Sequence, residues 1–138
     1  PTKVRLLRFY PQENISCALC NNNDEDDQHL FLGCPFAQDL WKKIREWWPI
    51  PPFRTTIEET IKVLLKKKQH KYSNMISYAI FTAGTYNIWV TRNAVIFKHG
   101  HCEVHSTFID IKHQIIQRIL YLHTYTKKLG VYIDRILI

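Results

Sequence analysis

Apolar residues recur along most of this chain at steps of three and four, the period of a helix, while the two-residue alternation of strands is scarce. The pattern predicts a mostly α fold with about four long helices. The first covers residues 35–48. Pro35 suits its first position, Phe36, Leu40, Trp41, Ile44, Trp47 and Trp48 recur at helical spacing, and Lys42, Lys43, Arg45 and Glu46 fill the wet side. Pro49, Pro51 and Pro52 stop it, because proline lacks the backbone donor and drives its predecessor out of the α region. Thr55 and Glu58 form a capping box for the second helix, with Ile57, Ile61, Leu64 and Leu65 on its apolar side. Ser73 is the predicted cap of a third helix through Lys98, in which Ala79, Ala83 and Gly84 permit close approach by another helix. Gly100 ends it. The fourth starts at Glu103 or Thr107 and runs to Leu129, with Phe108, Ile111, Ile115, Ile119, Leu122 and Tyr125 on one side and Gly130 as its stop. In the apolar tail Val131 to Ile138 the alternation is too short to choose strand or helix, and packing is expected to order it.

Ahead of the helices stands a different kind of pattern. Cys17, Cys20, His29 and Cys34 form a CysX2CysX8HisX4Cys array. A two-residue gap lets a tight turn point two thiolates at one ion, and the polar loop 21–28 is long enough to bring His29 and Cys34 back to complete a tetrahedron of zinc ligands. Four protein donors leave no position for water or substrate, so the site is expected to hold structure and to do no hydrolysis. A Cys17–Cys20 redox pair or disulfides are the alternatives. The redox reading lacks the strand-helix-strand setting in which such pairs open a helix. Cys34 immediately precedes Pro35, which places the last ligand at a helix N-terminus, where the dipole favours a thiolate. The expected architecture is one domain over 1–138, a zinc-bound head (1–34) packed on a helical body (35–138). Phe31, Phe36 and Trp41 are expected to knit the two, so that loss of metal destabilises the chain without necessarily unfolding all of it.

Composition narrows the setting. With 46% apolar and 13% aromatic residues in 138, the chain has material for a real core. It shows neither an apolar stretch long enough for a membrane span nor a charged-then-apolar leader, and metal-style cysteine spacing fits a reducing, intracellular compartment. The net charge of +7 is unevenly spread. Asp24, Glu25, Asp26 and Asp27 make the head loop acidic, whereas Arg54, Lys62, Lys66, Lys67, Lys68 and Lys71 face only Glu58 and Glu59. A lysine cluster in a basic chain is the footprint of phosphate binding, although lysines closing a helix are also favoured by its dipole and by solvation.

Three blocks then carry a family resemblance. His29-Leu30-Phe31-Leu32-Gly33-Cys34-Pro35-Phe36-Ala37-Gln38-Asp39-Leu40-Trp41, preceded by Cys17-Ala18-Leu19-Cys20, resembles the zinc-binding domain that follows the reverse transcriptase in LINE-type, non-LTR retroelements, especially those of plants. Pro1-Thr2-Lys3-Val4-Arg5-Leu6 resembles the segment leading into the first cysteine pair. Ile88-Trp89-Val90-Thr91-Arg92-Asn93-Ala94-Val95-Ile96-Phe97 resembles a Trp-x-x-Arg-Asn signature further along the same polyproteins. The resemblance implies a non-catalytic accessory domain that helps hold element RNA, or the target-primed template, with catalysis elsewhere.

The predicted phosphate-facing surface comprises Lys3, Arg5, Arg8, Lys62, Lys66, Lys67, Lys68 and Lys71, with Trp47 and Trp48 as stacking platforms for unpaired bases. Trp41 and Trp89 lie in apolar stripes and are expected in the core. Arg92 and Asn93 are expected as a buried, hydrogen-bonded pair locking two helices. The run 24–27 is expected to face water, since two-metal chemistry needs carboxylates converging from separate elements. His99, His101, Cys102 and His105 crowd one turn without matching a usual zinc pairing. No nucleophile-base pair or open metal site can be built from these residues, so the chain is not expected to be an enzyme. RNA, or DNA, is the expected partner. A structural module docking on a polymerase or ribonucleoprotein is the alternative, and the oligomeric state is not legible.

Overall fold

In the computed structural model, which describes residues 1–9, 14–66 and 71–138, the fold is built from helices. A one-turn helix, α1 (Lys3–Leu6), opens the head, and a wide π-type turn (His29–Gly33) leads into α2 (Pro35–Trp47). Then follow α3 (Ile57–Leu65), α4 (Lys71–Lys98), α5 (Val104–Tyr125), a 3₁₀ turn (Lys127–Leu129) and α6 (Gly130–Leu137). Among the described residues the extended pairing is a single antiparallel bridge between Ser16 and Asp24.

The expected helices are present, with informative shifts at their ends. Pro35 is the first residue of α2, and Trp48 leaves the helix in extended conformation before the prolines. Thr56, rather than Thr55, caps α3: its hydroxyl accepts from the Glu59 N–H at 3.1 Å. Both threonines stand three residues before a glutamate, so the motif alone has two equivalent registers. The third helix already includes Lys71, ahead of the expected Ser73 cap. Gly130 does not end the structure. It takes ordinary right-handed helical angles and starts α6, and Val131 to Leu137 are helical. Buried Leu129 and Ile136 show why: the tail covers part of the core.

α4 is the spine. It packs along α3 and α5, while α2 crosses α5. α4 and α5 run antiparallel, joined near their middles by the Asn87 amide, which donates to the Gln114 side-chain oxygen at 3.1 Å. The core beneath them contains Leu40, Ile44, Ile80, Ile88, Ile111 and Ile115, all essentially withdrawn from water. Trp41 occupies the junction with the head. Its ring stacks on Phe81 at 5.5 Å, meets Phe53 edge-on at 4.9 Å and abuts Gly84, while its indole N–H donates to the Phe31 carbonyl at 2.8 Å. A Cβ on residue 84 would clash with the Trp41 ring, so glycine is required there by close approach.

Two expectations about tryptophans are corrected. Trp48 is fully buried, its indole N–H donating to the Ser77 hydroxyl at 3.0 Å, with Tyr132 beside it and the Arg135 guanidinium over its ring. It cannot stack on a base. Trp47 is half-buried: its N–H donates to the Ile136 carbonyl, and Phe108 and Lys112 flank its ring. In both cases α6 folds back over the end of α2. Trp89 departs in the opposite sense and is 41% exposed on the outer side of α4.

Candidate metal centre and its surroundings

The metal ligands are positioned by three local devices. Cys17 and Cys20 lie on a tight turn closed by the Ser16–Asp24 bridge and by the Cys17 N–H donating to the Asn23 carbonyl at 2.7 Å. The turn exits through Asn21 at φ 58°, a left-handed conformation that asparagine tolerates better than most residues. Asp26 then caps the π-type turn by accepting from the His29 N–H at 2.6 Å, and Cys34 is the residue that caps α2.

These devices converge. The sulfurs of Cys17 and Cys34 lie 3.9 Å apart, Cys20 Sγ lies 3.3 Å from His29 Nε2, and all four ligand atoms fall within 4.8 Å of one another. Zinc–sulfur bonds of about 2.3 Å and zinc–nitrogen bonds of about 2.0 Å set tetrahedral edges of roughly 3.5–3.8 Å, so the donor set fits the ion. The shared proton between Cys17 and Cys34 lowers Cys17 to about 5 and, with burial, pushes Cys34 above the usual thiol range. The N–H groups of Phe36 and Ala37 work the other way and favour the Cys34 thiolate. A zinc ion would stabilise both thiolates and displace that proton. With three thiolates and one imidazole the shell is closed, and zinc in it is structural and non-catalytic.

The acidic run in the ligand loop is not uniformly solvated, contrary to expectation. Glu25 is completely buried. One carboxylate oxygen accepts from Arg92 Nη2 at 2.6 Å, Arg92 Nε at 3.1 Å and the Lys3 N–H at 3.1 Å, and the other accepts from the Ala18 N–H at 3.0 Å. Burial pushes this carboxyl up, but the Arg92 guanidinium and the two backbone donors more than reverse that and hold it below the usual range. Arg92 also donates from Nη1 to the Asn93 side chain at 3.0 Å. The pair is hydrogen-bonded as expected. The partner it locks is the metal loop, through a residue that sequence reasoning passed over. Only the Arg-Asn resemblance hinted at a buried polar site, and nothing in it named Glu25.

The cationic residues divide into two groups. Lys3 donates to the Ser16 carbonyl at 2.7 Å and Arg5 faces Asp27 at 3.4 Å, so both brace the metal loop, while Arg8 is exposed. Lys62, Lys66 and Lys71 are exposed along the α3–α4 edge, where Lys62 and Lys66 share one cleft and Lys66 and Lys71 the next. Lys67 and Lys68 lie outside the described residues. Among the described residues, His99, His101, Cys102 and His105 do not gather into a ligand set.

The comparison with protein families agrees with this geometry. Residues 1–41 match the family described as zinc-binding in reverse transcriptase. Over this segment the chain is similar to the zinc-binding domain of reverse transcriptases. The match contains all four ligands and ends at Trp41, the residue that joins the head to α4. No curated protein and no solved structure matches the chain. No helix among the described residues is long and apolar enough to cross a membrane.

Proposed function

We propose that the chain is a nucleic-acid-binding accessory unit of a LINE-type reverse transcriptase protein, acting intracellularly to hold RNA near the polymerase. In this reading the zinc head (1–34) and the helical body (35–138) work as one unit, and the head fixes the pose of the helices. The observation that carries it is the exposed lysine edge of α3 and α4 on a body joined to a reverse-transcriptase zinc-binding domain. Lysines lining adjoining clefts present phosphates with several cations at once, and the release of counterions then drives binding.

The test is binding of zinc-loaded protein to single-stranded RNA, structured RNA and duplex DNA across a salt series, beside Lys62→Ala/Lys66→Ala/Lys71→Ala. Firm RNA binding should weaken steeply with salt, and the triple variant should flatten that slope by roughly two to three, since each phosphate contact contributes about 0.7–0.9. Absence of nucleic-acid binding in zinc-loaded protein at moderate salt would remove this reading and leave docking on a polymerase or ribonucleoprotein.

A further inference from the structure

The outer face of the α4–α5 pair carries an aromatic groove. Tyr78 and Tyr86 on α4 and Tyr121 on α5 are exposed at the rims of a groove of about 730 Å³, whose lining includes the buried side chains of Ile115 and Ile119. Arg118 also lines it. At Met75 and Tyr78 the groove continues into a second cleft of about 540 Å³ that carries Lys66 and Lys71. No carboxylate lines either cleft among the described residues. α4 contains no acidic residue at all, and α5 only Asp110.

Rings at the rims, cations at one end and along the wall, and an acid-free lining are together complementary to one kind of polymer. Unpaired bases stack on tyrosine faces whatever their identity, and their backbone follows positive charge. A duplex keeps its bases stacked on one another and gives the rings nothing to hold. From Lys71 to Tyr86 the helix rises about 22 Å, long enough for several nucleotides to lie along it.

We propose that the α4–α5 groove holds a short run of unpaired nucleotides, with bases on Tyr78, Tyr86 and Tyr121 and phosphates running past Arg118 to Lys66 and Lys71. This rests on the nucleic-acid reading above and assigns to it a face, a strandedness and a set of residues beyond the zinc-binding segment.

The experiment compares fluorescein-labelled twelve-residue oligouridine with an RNA hairpin of equal charge, using the zinc-loaded full chain. Tyr86→Ala/Tyr121→Ala removes two rings that are 57% and 62% exposed, so melting and helical content should hold; Tyr86→Phe/Tyr121→Phe keeps the stacking surface. The alanine pair should weaken oligouridine binding roughly tenfold or more with little change in salt slope, and the phenylalanine pair should stay within about twofold of the parent. The parent should prefer oligouridine to the hairpin. If the alanine pair binds as tightly as the parent while the lysine variant is weakened, the groove assignment fails and the nucleic-acid reading survives. If the parent binds neither RNA, both fail. A parent dimer in sedimentation that the alanine pair converts to monomer would give the groove to a second copy of the chain and overturn the proposal.

Discussion

Glu25 and Arg92 are separated by 67 residues of sequence and by 2.6 Å in space, and neither has appreciable contact with water. Glu25 lies between the two ligand pairs of the metal loop and Arg92 lies less than two turns from the C-terminal end of α4, so the ion pair ties the metal loop to the longest helix. Removing either partner leaves a buried charge alone. Arg92→Ala should therefore cost about 3–5 kcal/mol in urea denaturation of zinc-loaded protein, and adding Glu25→Gln should recover part of the loss. A loss below about 1 kcal/mol would mean that the pair is incidental to the fold.

The same carboxyl gives a pH signature. Its pKa in the folded chain lies below its ordinary value of 4.5, so its contribution is complete above the usual carboxylate range and fades as pH falls through the folded value. Native protein and Glu25→Gln should differ fully in stability at pH 7 and converge on acidification. Acid also strips zinc from both, which cancels in the comparison. A gap that stays constant into acid would contradict the assignment.

Metal removal should act unevenly. Chelation leaves the thiolates, the His29 turn and the loop that presents Glu25 without their common centre, while Ile80, Ile88, Ile111 and Ile115 still pack α4 on α5. Zinc-free protein should keep most of its helical circular dichroism but melt well below the loaded form, and Cys34→Ser should reproduce that. A stoichiometry other than one zinc per chain, or complete loss of helix on chelation, would contradict this division of labour.

Gly84→Ala adds one carbon where the Trp41 ring already lies. The expected loss is about 1–3 kcal/mol by thermal or urea melting, since an overpacked core must shift a helix or tilt the ring. Trp41→Phe should accommodate the added methyl, so the double variant should lose less than the sum of the two single losses.

Truncation of α6 tests the other end of the body. Trp47 donates to the Ile136 carbonyl, and Tyr132 and Arg135 cover Trp48. Ile136→Ala should cost about 2–5 kcal/mol, and removal of residues 130–138 more than that, with a red shift in tryptophan emission as Trp48 meets water. Unchanged emission would mean that the tail does not cover it.

The helices and the metal ligands were legible because each has a strong local signature: sustained helical periodicity in one case, ligand chemistry at close spacing in the other. Glu25 was not, because a buried carboxylate within four consecutive acids has the same local sequence as a solvated one, and its partner is supplied by an element far along the chain. The burial of Trp48 is hidden from the sequence for the same reason. Its neighbours in sequence are prolines and a basic segment, while its neighbours in space come from α4 and from an eight-residue helix too short for its period to be read. The aromatic groove has no local signature because its rings are drawn from two helices, and only their antiparallel packing puts Tyr86 and Tyr121 around one hollow.

Trp41 closes the segment that matches the zinc-binding family, yet Phe53, Phe81 and Gly84, which cradle its ring, all lie beyond that segment. A peptide cut at the family boundary would keep every ligand and expose a bare indole, having lost the surface on which its last helix rests. The stretch that recurs between proteins and the stretch that can stand alone therefore have different ends in this chain. Any transplant of the zinc module to another scaffold has to bring a substitute for α4, with a residue as small as glycine at the point of contact.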